Sequence, residues 1–450
     1  MCNTILELIE QRKYAELKLV LSDINPADLV DYFENLSQSH LLLVFRILPK
    51  ELAAEAFVEM DSDMQMLLIA SFSDKELRDI LEELFVDDAV DIIEEMPASV
   101  AKRIIKQADA QTRREINQLL AYPDDSAGSI MTTEYIDLKK DISVSAAFDR
   151  IRKIGVNKET IYTAYVTDSR RKLIGVITAK HLLLAETNQL LEDIMEEDAI
   201  SVFTTDSKET VIQLFDKYDV LALPVVDTES RLIGIITVDD VIDVLQEETT
   251  EDIKKMAAIA PVNKTYLKTG VFETVKSRIP WLVFLMLTAT FTGWIITAFE
   301  SALAVQAALI AFIPMIMNTG GNSGSQSSVT VIRALSLGDI EFRDTIKVFF
   351  KEFRVSIICG IVLSFANFLK IVLVDNMLLK SNISYEIALV VSLTLVATII
   401  FAKVVGCLLP IGAKRIGLDP TVMASPFITT LVDTVSLLIY FTIASAMLSI

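Results

Sequence analysis

Cysteine and histidine are nearly missing from this chain of 450 residues: the cysteines are Cys2, Cys359 and Cys407, and the histidines are His40 and His181. An odd cysteine count without a Cys-x-x-Cys pair fits a reducing compartment and argues against a thiolate metal site. Neither histidine has a partner at metal-ligand or catalytic spacing. A phosphate-binding P-loop, a nucleophile elbow and a His-rich metal motif are also missing, which argues against ATP-driven pumping and against an enzyme. The first residues, MCNTILELIEQRKYAELK, lack the basic start, apolar core and small-residue cleavage site of a secretory signal, so the N-terminal half is expected to stay in the cytosol. Positive charge is scarce too: 41 Lys and Arg stand against 61 Asp and Glu, a formal net charge of -20, which argues against nucleic acid as a partner.

What is present divides the chain in two. Hydrophobic residues make up 52% of it, with mean hydropathy +0.46, a combination that a single soluble domain rarely shows. Up to about residue 278 the composition is charged and mixed. From Pro280 onward long apolar runs alternate with short polar loops, the pattern of transmembrane helices. Five spans are expected, near residues 281–299, 303–333, 355–374, 386–409 and 421–448. Basic residues set the orientation. Lys276 and Arg278 precede the first span, Arg343, Lys347, Lys351 and Arg354 lie between the second and third, and Lys414 and Arg415 lie between the fourth and fifth. Those flanks are expected in the cytosol, which puts the C-terminus outside.

Asp433 sits in the middle of the last apolar segment, SPFITTLVDTVSLLIYFTIAS, as the one carboxylate deep inside a predicted span. An acid at the bilayer centre costs at least ~2.5 kcal/mol, so it is kept where it faces a bundle interior, a partner charge or an ion path. No Lys or Arg lies within a helical turn of it. An ion site in a cation pathway and an acid neutralised by protonation or by a neighbouring helix both fit this position. Asp419 comes fourteen residues earlier, ~21 Å away at helical rise, at the cytosolic mouth of the same span.

The second predicted span, at about 31 residues and ~46 Å, exceeds the ~30 Å hydrocarbon core and must tilt, protrude or break. It contains IPMIMNTGGNSGSQSS, with Asn318, Gly320, Gly321, Asn322, Gly324 and Gln326. Irregular backbone lining a wet cavity and a small-residue helix-packing face are both open readings of this run, and they are compatible. The donors at this depth are all oxygens, which suits a hard cation such as Mg²⁺, although Ca²⁺, Mn²⁺ or a proton-coupled solute fits the same chemistry.

The cytosolic half carries an internal repeat. AYVTDSRRKLIGVITAKHLL and LPVVDTESRLIGIITVDDVIDVL align with Gly175 and Gly234 in register, 59 positions apart. Each copy reads as strand, helix, strand, turn, strand, helix, and the pair resembles tandem cystathionine-β-synthase (CBS) domains over residues 129–245. Such pairs commonly act as regulatory modules, and adenine-nucleotide binding enters here only through that resemblance. Residues 1–128 read as many short amphipathic helices in a superhelix. Two acidic runs contain no basic residue: Glu82, Glu83, Asp87, Asp88, Asp91, Glu94 and Glu95, and then Asp239, Asp240, Asp243, Glu247, Glu248, Glu251 and Asp252. If these faces approach each other they repel when bare, and divalent cations between them would draw them together, so their equilibrium would follow the cytosolic ion concentration. Residues 246–279 are expected to form a connecting helix to the first span.

The order of helical N-domain, CBS pair, connecting helix and five-helix all-α transmembrane domain, 280–450, together with GGNSGSQSS and LDPTVMASPFITTLVDTVSLLIYF, resembles the MgtE family of magnesium channels. The resemblance implies a homodimer in the cell membrane with a pore between the subunits. Asp433 matches its mid-pore magnesium ligand, Asn322 its pore-lining motif and Asp419 its cytosolic mouth. It also implies regulatory Mg²⁺ that closes the gate. The matching positions are Glu59, Asp87 and Asp91 in the N-domain, and Asp216, Asp219, Asp227, Asp240, Asp243, Glu248, Glu251 and Asp252 around the CBS pair and connector. Two rivals stand beside this reading: a membrane-anchored CBS nucleotide sensor, and a transporter of another divalent cation such as Co²⁺ or Mn²⁺.

Overall fold

The computed structural model describes residues 2–262, 266–267, 269–423 and 425–448. The chain forms two compact units, residues 1–244 and 245–450.

The first unit opens with ten helices of eight to ten residues among the described ones, α1 to α10, running from Cys2–Glu10 to Thr112–Leu119. Helices this short are marginal alone, so their ends must be capped and one face of each must be buried. Asn25, Ser37, Asp61 and Ser73 each accept a hydrogen bond from the first-turn backbone that follows, and Ser73 completes a capping box with Glu76. Phe45, Phe57 and Phe72 pack in the shared core, with the Phe45 and Phe72 rings 5.4 Å apart. That core continues without interruption into the second CBS module through Val202, Val211, Phe215 and Leu223.

The repeat folds twice in the same way. β1 (Ile136–Lys139), α11 (Val144–Ile154), β2 (Thr163–Thr167), β3 (Leu173–Thr178) and α12 (Ala179–Leu184) form the first module. β4 (Val202–Phe203), α13 (Lys208–Tyr218), β5 (Ala222–Val226), β6 (Leu232–Thr237) and α14 (Val238–Met256) follow. Each three-stranded sheet pairs its first two strands in parallel and its last two antiparallel. Val166 stands opposite Gly175 and Val225 opposite Gly234, with the same irregularity one residue on. Both glycines are required by crossing backbone: a Cβ on Gly234 would lie 2.6 Å from the Thr132 carbonyl oxygen, and one on Gly175 would lie 2.9 Å from that of Glu196.

In the second unit, α15 (Val271–Ala298), α16 (Glu300–Val305), α17 (Ile313–Ser336), α18 (Thr345–Lys370), α19 (Tyr385–Arg415) and α20 (Ser425–Leu448) carry the apolar runs. Among the described residues, four segments are long and apolar enough to cross a membrane: 271–298, 342–378, 385–415 and 420–448. α17 has the length, 24 residues, but its Asn, Ser and Gly content makes it less apolar, and it packs against both α19 and α20.

Two expectations change here. The long second span is not one helix; it breaks at a 3₁₀ turn, Ala307–Phe312, ahead of the polar run, which is itself regular α-helix. The connector is also not a single helix. α14 continues from the second CBS module to Met256, and α15 begins at Val271; residues 263–265 and 268 of the intervening stretch lie outside the described residues.

Candidate cation sites

The glycines and serines of α17 sort by face. Gly320, Gly321, Ser323, Gly324, Ser327 and Ser328 are buried, while Asn318, Asn322 and Gln326 are exposed one turn apart on the other side. A Cβ on Gly320 would sit 2.6 Å from Thr398 Cγ2, one on Gly321 would sit 2.7 Å from Thr429 Cγ2, and one on Gly406 of α19 would sit 2.4 Å from the Gly324 carbonyl oxygen. The small-residue run is therefore a packing seam that lets three backbones approach, and it leaves the amides on the free face. Asn322 Nδ2 donates to Asn318 Oδ1 at 3.2 Å, so the two amides form one continuous polar strip.

α20 lies along this helix, with the Thr429 hydroxyl 3.4 Å from that of Ser325. Asp433 is one turn beyond Thr429, and its Oδ1 is buried with no hydrogen-bond partner. Beyond Asp344 at its start, the segment 342–378, which is longer than the third predicted span, holds two more carboxylates: Glu352 and Asp375. Asp375 pairs with Lys370 at 2.8 Å. Glu352 accepts from the Ser327 hydroxyl, whose oxygen in turn accepts from Lys403 Nζ at 3.5 Å. Lys403 is a buried lysine that the sequence reading passed over. Asp433 differs from both neighbours in having a buried oxygen left over, and a buried carboxylate oxygen without a donor is chemically a site for a hard cation.

Asp419 does not face open solvent. It accepts from Lys255 Nζ at 2.7 Å and from the Thr421 backbone and hydroxyl, and Lys255 also donates to Glu251 at 2.6 Å. Burial pushes the Asp419 carboxyl up, but the Lys255 ammonium and the Thr421 donors more than reverse this and hold it below its ordinary value.

In the first unit the acids gather. Val86, Ala89, Val90, Ile92 and Ile93 bury one side of α8 (Val86–Glu95) and turn its acids away from the core. Asp87 and Asp88 then stand in the first turn, where the helix dipole favours them. The start of α14 brings Asp239 and Asp240 to the same place, and Asp240 accepts from the Thr237 hydroxyl at 2.5 Å. Glu134 and Glu159 close the group from the first module. Burial raises Asp87 well above the carboxylate range, with Asp88, Asp240, Glu159 and Glu134 adding to it, and its Oδ1 is buried without a partner. Burial and then Asp240, Glu134 and Glu59 raise Asp88 to about 6. Burial and then Asp240 and Asp88 raise Glu159 to about 7. Among the described residues no three of these side chains yet close around a common point. They form a shared negative field that a cation would contract.

Other sequence-predicted positions separate. Asp243 lies near Asp240. Asp227 accepts from the backbone of Glu229 and Arg231 and shapes the turn before β6. Asp219 ends α13 in the left-handed region, φ 51°, and lines a cavity of about 440 Å³ with Tyr162, Thr178, Lys180, Asp198 and Pro224. Asp216 lies within α13, Asp91 within α8, and Glu248, Glu251 and Asp252 on the second-unit part of α14. Glu134 and Glu159 stand outside both acidic runs, so charge patterning could not have found them.

The MgtE model, a divalent cation transporter, matches residues 313–443; the MgtE intracellular N domain matches 24–125, and CBS domains match 127–188 and 191–247. The magnesium transporter MgtE of Thermus thermophilus is 36% identical over 446 residues, 98% of this chain and 97% of that protein. The chain belongs to the MgtE family. The MgtE of Bacillus subtilis is 30% identical over 442 residues, 98% of this chain and 96% of that one. The crystal structure of an MgtE cytosolic domain in complex with ATP matches with TM-score 0.52 and 34% identity, covering 54% of this chain and all of that one. This MgtE chain is accordingly a multi-pass membrane protein with a helical N-domain and a CBS pair. The likeness to a transport family runs through both units.

Proposed function

We propose that this protein moves Mg²⁺ across the cytoplasmic membrane through a path lined by α17 and α20, and that the acids of its first unit sense the ion and shut the path when internal Mg²⁺ is high. The observation that carries the reading is Asp433, the membrane carboxylate whose Oδ1 is buried without a donor. Mg²⁺ gives up its water reluctantly, so one carboxylate with amide and hydroxyl oxygens can hold the ion with part of its shell. Asn322 contributes to the same path and Asp419 marks its cytosolic end. The exposed amides of Asn318, Asn322 and Gln326 cannot face lipid cheaply, which supports a homodimer that turns these strips toward each other.

The sensing reading rests on Asp87, Asp88, Glu134, Glu159 and Asp240, with Glu59 and Asp243 beside them. Asp91, Asp216, Asp219, Asp227, Glu248, Glu251 and Asp252 are further candidates for regulatory ions. The basic flanks support an N-in, C-out orientation. The cavity beside Asp219 has the aromatic Tyr162 and the cation Lys180 that an adenine nucleotide would use, and ATP is proposed there.

The deciding experiment is Mg²⁺ flux into liposomes holding the purified chain, its Asp433→Ala and its Asp433→Asn forms, with internal Mg²⁺ low and then high. Flux is expected to vanish in both variants and to fall at high internal Mg²⁺ in the native chain. Flux indifferent to Asp433 would sink the pathway, and flux indifferent to internal Mg²⁺ would sink the sensor.

A further inference from the structure

The outer face of α18 combines two features that no neighbouring element covers. At 100° per residue, Lys347, Lys351, Arg354, Ile358, Ile361 and Phe365 fall within about 80° of arc, so basic and apolar side chains share one stripe along the helix. Ile358 is 64% exposed, Ile361 59% and Phe365 63%, and all lie in a segment long and apolar enough to cross a membrane. Lys347 pairs with Asp344 at 2.7 Å. Among the described residues, Lys351 and Arg354 have no carboxylate within ion-pair distance. Arg354 commits only its Nε, to the Phe350 carbonyl at 3.1 Å. Arg415 adds charge at the same end, its guanidinium 4.4 Å over the ring of Phe342. In a chain with 61 acids against 41 bases, two adjacent cations without acids are a local exception.

We propose that this stripe is a binding site for an anionic phospholipid, with the headgroup phosphate between Lys351 and Arg354 and an acyl chain along Ile358, Ile361 and Phe365. Charge and polarity both choose the occupant. A headgroup with net negative charge answers two unpaired cations at the edge of the hydrocarbon, and its tail answers the bare apolar turns beyond them. A second copy of the chain fits poorly, because a two-fold contact along this stripe would set basic end against basic end or basic end against apolar turns. The inference depends on the membrane location alone and not on which ion is carried.

The test is native mass spectrometry of the full-length protein, purified from vesicles of equal phosphatidylglycerol and phosphatidylcholine. Native chain, Lys351→Gln/Arg354→Gln and the charge-keeping Lys351→Arg/Arg354→Lys are compared. The native and charge-keeping forms should retain phosphatidylglycerol over phosphatidylcholine. The neutral form should hold phosphatidylglycerol about twenty-five-fold less well, since each of the two surface cations is worth roughly fivefold toward an anionic membrane. Equal retention of the two lipids by the native chain, or undiminished phosphatidylglycerol on the neutral form, overturns the proposal. So does loss of the lipid from the charge-keeping form, which would trace the effect to packing. Displacement of the lipid by a polyglutamate peptide would assign the stripe to an acidic protein segment and overturn it as well.

Discussion

Single residues in the membrane unit are constrained by how close the backbones come. A Cβ on Gly406 would lie 2.4 Å from the Gly324 carbonyl oxygen, a contact with backbone that no side-chain rotation relieves. We expect Gly406→Ala to force α17 and α19 apart and to cost roughly 1–3 kcal/mol, the usual penalty of overpacking. Gly412, on the same helix, has nothing within 4 Å of a built Cβ, so Gly412→Ala should be neutral or slightly stabilising. Thermal melts of the two variants in one detergent check this, and a Gly406→Ala melt no lower than that of Gly412→Ala would contradict the seam. Asp433 belongs to the same scale with the opposite logic: it is retained at a cost to stability, so Asp433→Asn should abolish flux without lowering the melt.

Elements set the behaviour of the acidic cluster. The starts of α8 and α14 hold Asp87, Asp88 and Asp240 together, and Glu159 joins them from the first module. All four carboxyls are raised by burial first; repulsion comes second for Asp87, Asp88 and Glu159, whereas at Asp240 the Thr237 donors work against burial and Asp239 and Asp243 add to it. In the unfolded chain they ionise near pH 4, whereas in the fold Asp88 and Glu159 hold their protons to about 6 and about 7. Between those values the folded state binds more protons than the unfolded one, so these two groups make stability fall as pH rises from about 4 to about 7, and Asp87 adds to the fall in the same direction. Under the proposed sensing role, Mg²⁺ would replace the protons in offsetting that charge. Hydrogen exchange of the α8 amides in the full-length chain, corrected for intrinsic rates, should therefore speed up from pH 5 to pH 8. Added Mg²⁺ should slow it at pH 8 by up to about a hundredfold at a hundredfold excess over Kd, and have little effect at pH 5. Equal protection by Mg²⁺ at both pH values would mean that the cluster is not where the ion acts.

At the scale of the whole molecule, one protomer leaves two unlike strips uncovered in its membrane unit: the amides of α17 and the basic and apolar stripe of α18. Under the proposals above, the first strip meets a second copy and the second meets lipid. The particle in a lipid nanodisc should have twice the mass of one chain. Asn318→Cys should form a disulfide between copies under mild oxidation, whereas Ile361→Cys should not. Crosslinking through Ile361→Cys with none through Asn318→Cys would exchange the two assignments and remove the amide strip from the ion path.

Much of this architecture was legible before any coordinates. Period and repetition are local properties, so the apolar runs, the short capped helices and the 59-residue offset between Gly175 and Gly234 announced the membrane unit, the helical domain and the CBS pair. Asp433 was legible because an acid in an apolar run stands against its background. Only tertiary structure decided which side of α17 was seam and which was surface, because both sides carry small polar residues and burial alone separates them. It placed the break of the second span ahead of the polar run, since glycines held on several sides by packing stay helical. It drew Glu134 and Glu159 to Asp87, Asp88 and Asp240, and Lys255 to Asp419, across distances in sequence that no local pattern spans. A lone charge acquires its meaning from the charges folded against it, and those are set by the packing of elements rather than by neighbours along the chain.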